Sequence, residues 1–333
     1  MEKRKILEVK NLTKHFPVRD GGQNKLVKAL DGVSFDLYEQ EVLGIVGESG
    51  CGKSTLGRAI LRLHEPTSGD VIFKGENVLA KNKKEMKELR SDMQFIFQDP
   101  YSSLNPRMNI YNILSEPLIA HNKFKKGPEM EKYVLDLMAK CGLPTYYVYR
   151  YPHQFSGGQR QRIGIARSLV LDPTFVICDE PVSALDVSIQ SQILNMMQDL
   201  REERKMSYIF ISHDMGVIKY ISDRIGVMYL GSMAELASKE DIFAKPLHPY
   251  TKALLSAIPE PDPEKQLEMT MIQGEIPSNV DVPPGCKFHP RCPFAQDKCK
   301  VDIPEFREVE KEHFVACHYV EDIEAGKIEA KTL

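Results

Sequence analysis

Long apolar runs are missing from this sequence. No stretch reaches the ~18 residues that a bilayer-spanning helix needs. The charged opening Met1-Glu-Lys-Arg-Lys5 leads into no apolar signal-peptide region. A soluble, cytosolic chain is expected. An excess of one charge is missing too: 44 Lys and Arg stand against 47 Asp and Glu, a net charge of −3. That balance excludes a strongly basic nucleic-acid binder held by its overall field. There is no internal repeat, so the second part of the chain is not a copy of the first.

What is present is a chain of 333 residues, 42% hydrophobic and 27% charged, with enough apolar content to bury a real core. That length suits about two domains, or one domain with an appendage. Seven cysteines are the oddity. Cys51, Cys141 and Cys178 are scattered, whereas Cys286, Cys292, Cys299 and Cys317 crowd into 32 residues. In a cytosolic setting such a cluster reads as metal binding before disulfides.

Ile6–Val9 and Val33–Leu37 alternate as half-buried strands do, and Asp20–Asn24 between them reads as a hairpin tip. Glu41–Val46 is a continuous apolar strand of the kind buried on both faces. Residues 83–155 read as mostly helical, with loops at 99–109 and 147–154. Thr174–Cys178 and Tyr208–Ile211 are two further buried strands, with helices over 187–204 and 215–222. Strands alternating with helices give an α/β core with a parallel component. Beyond about residue 235 prolines multiply (Pro246, Pro249, Pro259, Pro261 and Pro263 among them) and periodicity fades, marking an appendage.

Gly47-Glu48-Ser49-Gly50-Cys51-Gly52-Lys53-Ser54-Thr55 matches G-x-x-x-x-G-K-[ST] between a strand and a helix. The glycines let backbone N–H groups turn toward phosphate, and the helix N-terminus adds its positive end. Lys53 suits the β- and γ-phosphate oxygens, and the Ser54 hydroxyl suits Mg²⁺. Asp179 and Glu180 end an apolar strand, the edge where ligands of open α/β sheets bind. Asp179 is expected to hold Mg²⁺ through its water shell, and Glu180 to deprotonate the attacking water. These residues predict a nucleotide triphosphatase. Ser156-Gly157-Gly158-Gln159, opening another helix, is a second anion-binding N-terminus. Two cradles with one lysine-bearing loop suit two chains packed head to tail, each closing the other's nucleotide.

In this order and spacing, the chain resembles the ATP-binding subunits of ABC transporters over essentially its whole length. Phe155–Gln159 is similar to the family signature, with Phe in place of the usual Leu. Gln98 resembles the Q-loop glutamine, Ser183-Ala-Leu-Asp186 the D-loop, His213 the switch histidine, and Phe16 the aromatic that faces adenine. The resemblance implies a P-loop cassette: a RecA-like core with an antiparallel β subdomain and a helical signature subdomain at about 99–165, all within residues 1–240. It implies that Lys53 and His213 contact the γ-phosphate and that Gln98 senses it beside Mg²⁺. It also implies that Ser156 and Gly158 close on the partner's ATP. None of Lys53, Asp179, Glu180 and His213 is lost, as happens in some paired subunits. In the family, the stretch after Gln98, Asp99–Tyr111, borders the groove that takes a membrane subunit's coupling helix; an ordinary surface loop is the alternative.

Pro246-Leu-His-Pro-Tyr-Thr-Lys-Ala-Leu254 and Pro283-Pro-Gly-Cys286 resemble the C-terminal extension of oligopeptide and dipeptide importer ATPases, here over 241–333. Arg90–Gln94 and Ser102–Arg107 resemble the F-type partner of that pair, and nickel importers share much of the pattern. The implied partners are a paralogous ATPase, two membrane-spanning permeases and an extracytoplasmic peptide-binding protein, with no nucleic acid. The implied place is the cytoplasmic face of the membrane, peripherally. The cysteines run Cys286-x5-Cys292-x6-Cys299-x17-Cys317, without the tight C-x2–4-C pairs of zinc sites. Wide, uneven spacing suits a four-thiolate iron–sulfur cluster, and the extension is similar to segments that carry a [4Fe–4S] cluster in related importers. Zinc and free thiols remain alternatives, and His289, His313 and His318 leave mixed ligation open. Its role would be structural or regulatory, with no sign of redox catalysis. Cys51 is expected to be accessible, Cys178 buried in a strand, and Cys141 near a helix end. A soluble ATPase acting on ribosomes or DNA is the other class. Those carry tandem cassettes or long coiled-coil insertions, and only about 56 residues separate Gln98 from Phe155.

Overall fold

The computed structural model describes residues 4–20, 22–257 and 274–331. Gly21 of the hairpin tip and Pro259, Pro261 and Pro263 lie outside the described residues. The chain divides into two compact units, one of Met1–Ile6, Leu37–Val42 and Asn77–Ile211, the other of Leu7–Asp36, Leu43–Glu76 and Ser212–Leu333.

In the first unit three short strands run parallel: Met93–Ile96 beside Phe175–Asp179, and that beside Ser207–Ile211. The last two are buried at every position, which is why they read as unbroken apolar runs. The longer helices of this unit are Ile110–Ala120, Pro128–Lys140, Gly157–Leu169 and Val187–Arg204. Pro128–Lys140 turns Met130, Val134, Leu137 and Met138 inward, and Cys141 caps its C-terminal end. Met93–Ile96 falls inside the region expected to be mostly helical; four residues are too few for a period-two pattern to declare itself.

Most of Lys5–Asp20 and Gln23–Tyr38 belongs to the second unit; they neighbour each other as a long hairpin, with Ser68–Phe73 antiparallel on the first arm. The hairpin arms are much longer than the two short strands expected. Val42–Val46 runs parallel to Arg224–Tyr229, which continues antiparallel into Ser232–Ser238. The extension is irregular over 274–306, but it adds His313–Val315 to the edge of Ser232–Ser238 and Arg307–Glu310 beyond that. It is therefore woven into this unit's sheet.

A buried carboxylate fixes that weave. Glu235, 0% exposed, accepts the amides of Leu247 (2.7 Å) and His248 (3.0 Å) and is bonded to His313 Nε2 (2.7 Å). Burial raises its pKa, but the His313 and Thr251 side chains and the two amides outweigh burial and leave it lowered. His248 is likewise buried, and its Nδ1 accepts the Tyr250 amide at 3.0 Å. Burial holds its pKa down to about 4. A histidine whose pKa is depressed on folding loses stability as pH falls from its unfolded value toward about 4. A depressed carboxylate acts in the same direction as it protonates. Thermal melts from pH 7 to pH 5 should therefore show Tm falling with pH, and a flat profile would contradict this pairing.

Candidate nucleotide site

The strand Val42–Val46 delivers the chain into the loop 47–52, and the helix Lys53–Ile60 leaves it. Gly52, at φ 106°, caps that helix without any side-chain hydrogen bond. A Cβ there would lie 2.2 Å from the Ala29 carbonyl oxygen, so only glycine fits. Five of the loop's six carbonyls are tied back. Lys53 Nζ donates to the carbonyls of Gly47 (2.7 Å) and Glu48 (3.1 Å), and the Gly231 amide donates to that of Cys51 (2.9 Å). The Asn279 side-chain amide donates to the Gly50 carbonyl (2.8 Å), and the Leu56 amide to that of Gly52 (2.9 Å). Ser49 and Gly50 form the exposed rim, with Ser54 and Thr55 half-buried behind them.

Cys51 departs from expectation. It is buried, 4% exposed, with its Sγ 3.8 Å from Lys53 Nζ, and burial raises its pKa. The loop folds the thiol inward beneath the glycines, so it is neither accessible nor a reactive thiolate.

Phe16, half-buried, meets His64 edge-on at 5.5 Å, with Lys14 Nζ 4.7 Å from its ring centre. His213 is exposed, two residues beyond Ser207–Ile211. The next residue, Asp214, caps helix Met215–Ile221 through the amides of Gly216 and Val217.

The first unit holds the acidic pair. Asp179 is wholly buried at the end of its strand, as Cys178 is within it. Glu180 takes a left-handed backbone, φ 46°, where the chain leaves the sheet. Such strain in a non-glycine residue is characteristic of functional positions. Gln98, exposed, donates from Nε2 to Glu180 Oε2 at 3.0 Å, so two candidates 82 residues apart are brought together.

Ser156 is the N-cap of Gly157–Leu169 in a reciprocal capping box with Gln159. A Cβ on Gly158 would lie 2.7 Å from Ile189 Cγ2, so the second glycine has a packing reason as well. Phe155 is buried and meets Tyr147 edge-on at 5.7 Å, which explains how an aromatic ring replaces leucine there. Asp186 caps Val187–Arg204, and the Ile189 amide holds its carboxyl below the ordinary range. The segment after Gln98 is fastened to the signature helix. Arg160 lies 3.9 Å over the Tyr101 ring, and Arg167 donates to the Ser103 carbonyl. No sequence signal marks those two arginines as fasteners.

In the extension, Cys286, Cys292, Cys299 and Cys317 line one small cavity together with His289 and His318. His313 is withdrawn from this set by Glu235. Burial raises the Cys286 thiol to about 11 and those of Cys292 and Cys317 to about 12. Among the described residues, no three His, Cys, Asp or Glu side chains are disposed as ligands of a metal ion.

Comparisons with known proteins agree with these features. Residues 30–183 match the family described as "ABC transporter", and residues 234–299 match "Oligopeptide/dipeptide transporter, C-terminal region". The chain is 52% identical over 319 residues to the oligopeptide transport ATP-binding protein AppF of Bacillus subtilis, covering 94% of this chain and 97% of that protein. It is 48% identical to the oligopeptide transport ATP-binding protein OppF of Salmonella typhimurium, covering 97% and 99%. A solved dimer of the ATP-binding cassette MJ0796 bound to ADP and Pi superposes with a TM-score of 0.63 at 28% identity, covering 70% of this chain and 98% of that one. Among the described residues no helix is long and apolar enough to cross a membrane. The chain belongs to the ATP-binding subunits of ABC transporters, in the oligopeptide and dipeptide branch that carries this C-terminal extension.

Proposed function

We propose that this chain is the ATP-hydrolysing motor of an importer of di- or oligopeptides. One observation carries the reading: a full set of hydrolytic groups is joined to the extension of the oligopeptide and dipeptide transporters. On this reading residues 1–240 form the ATP-binding domain, with a helical subdomain at about 99–165, and residues 241–333 form the extension. Lys53 and His213 bind the γ-phosphate, residues 47–55 cradle the phosphates, and Phe16 faces adenine. Ser54, Gln98 and Asp179 offer only oxygen donors, the chemistry that suits Mg²⁺. The ion, when bound, supplies neutralisation of phosphate charge. Glu180 takes the proton of the attacking water. Ser156, Gly157, Gly158 and Gln159 close on the ATP of a second ATPase, beside Asp186.

That second ATPase is a paralogue in a heterodimer, seated at the cytoplasmic face on two membrane-spanning permeases fed by an extracytoplasmic peptide-binding protein. An importer of nickel or another small solute is the nearest alternative. The four cysteines, brought around one cavity, suit a [4Fe–4S] cluster, which is broader than a single ion. Such a cluster would staple a segment with little apolar content of its own.

Glu180→Gln should slow ATP hydrolysis by about 10² or more while leaving ATP binding intact, as loss of a general base does. Phosphate release and nucleotide titration on the full chain check this; unchanged turnover removes Glu180 from that role. Affinity purification from the native membrane should bring two permeases and a second ATPase, with turnover stimulated by a peptide-loaded binding protein. Stimulation by nickel in place of peptides would refute the substrate. Iron, acid-labile sulfide and absorbance near ~400 nm should accompany the purified chain. Zinc without iron would refute the cluster.

A further inference from the structure

Glu48 is an acidic residue within the phosphate loop. Its carboxylate stands one residue past Gly47, in the loop that must receive a polyanion. Left alone it would repel the nucleotide. The structure shows what answers it. Arg291, 243 residues later and only 6% exposed, donates from Nη1 to Glu48 Oε2 at 2.7 Å and from Nη2 to Oε1 at 2.9 Å. This is the fork-on-carboxylate pairing that fixes both position and charge.

The same loop is held at two more points by the extension. The Glu48 amide donates to the Tyr250 hydroxyl at 2.9 Å, and the Asn279 side chain donates to the Gly50 carbonyl at 2.8 Å. Asn279 is itself fixed, its carbonyl accepting the Lys28 amide at 2.9 Å. Tyr250 belongs to the His-Pro-Tyr run at the head of the extension and packs against Tyr229 and Phe288 at 4.7 and 5.4 Å. Arg291 ends the short turn His289–Arg291, directly before Cys292. The Cys286 amide bonds the Cys299 carbonyl at 2.8 Å, and the His289 amide bonds that of Cys286 at 2.9 Å. The cysteine-lined lobe thus aims the guanidinium.

We infer that the C-terminal extension is a built-in clamp on the phosphate loop, with Arg291 as a positioning residue that neutralises Glu48 and holds the loop ready for ATP. The inference rests on reading 47–55 as the phosphate loop, and it holds whatever the cysteines bind. Arg291 does not touch the nucleotide; it acts through Glu48. Two consequences separate this from simple scaffolding. Losing Arg291 should weaken ATP binding more than turnover, and removing the Glu48 charge should undo that loss.

The test uses the full-length chain with MgATP, comparing Kd, KM and kcat. Arg291→Ala should raise Kd and KM about tenfold, with kcat changed by less than about twofold. Glu48→Gln combined with Arg291→Ala should recover most of the lost affinity, because no unpaired carboxylate then stands in the phosphate loop. Arg291→Lys, which keeps the charge and loses the fork, should fall between. An Arg291→Ala chain with unchanged ATP affinity overturns the inference, as does a double variant no better than Arg291→Ala alone. If Arg291→Ala does not fold, Arg291→Lys with and without Glu48→Gln poses the same question, with a loss of about threefold expected and then removed. Lys53→Ala keeps the two readings apart. Retained ATP binding in that variant overturns the phosphate loop itself, whereas its loss beside an unaffected Arg291→Ala overturns the clamp alone.

Discussion

A loop that receives phosphate must not offer it carbonyl oxygens. Every peptide unit brings one, so a cradle of amides exists only where the carbonyls are engaged elsewhere. In this protein that constraint organises the surroundings of residues 47–52. Lys53 takes two carbonyls from within, Gly231 and Leu56 take one each from the backbone, and Asn279 takes one from the extension. Gly52 is glycine because Ala29 crowds it, and Cys51 is small and inward-facing beneath the loop. The residues that hold the loop, directly or through a neighbour, are spread from position 28 to position 291.

The same economy appears in the acidic half. Glu180 is held out by a left-handed backbone at the end of a fully buried strand, and Gln98 reaches its carboxylate from the neighbouring strand's end. Gln98 leads directly into Asp99–Ser103, and Arg160 and Arg167 fasten that segment to the helix that Ser156 caps. The glutamine beside the acidic pair and the signature helix are thus linked by two arginines within one compact unit.

Much of this was legible in the sequence, for a physical reason. Phosphate binding fixes residue types at short spacings, so 47–55, 155–159 and 175–180 can be read locally, and their strand and helix settings came out as expected. The strands Arg224–Tyr229 and Ser232–Ser238 carry no such local signal. The second is built from Met, Ala, Glu and Leu, which favour helix, and its buried Glu235 breaks the apolar pattern. Burial and pairing decided those segments, and neither is a local property. The bond between Arg291 and Glu48 was invisible for the same reason. Nothing near Arg291 distinguishes it from a surface arginine until the fold closes 243 residues of separation.

Glu235 has a consequence for how such a protein can be taken apart. Its carboxylate lies before a boundary drawn at residue 240, and its partner His313 lies near the end of the chain. A shortened chain ending at residue 240 would expose the edge of Ser232–Ser238 and leave a buried negative charge without its histidine. The extension is no removable module, then. Domain exchange between relatives would have to carry residues 232–331 as one cassette, and chimeras joined just after the last cassette motif should be selected against in evolution and in the laboratory alike.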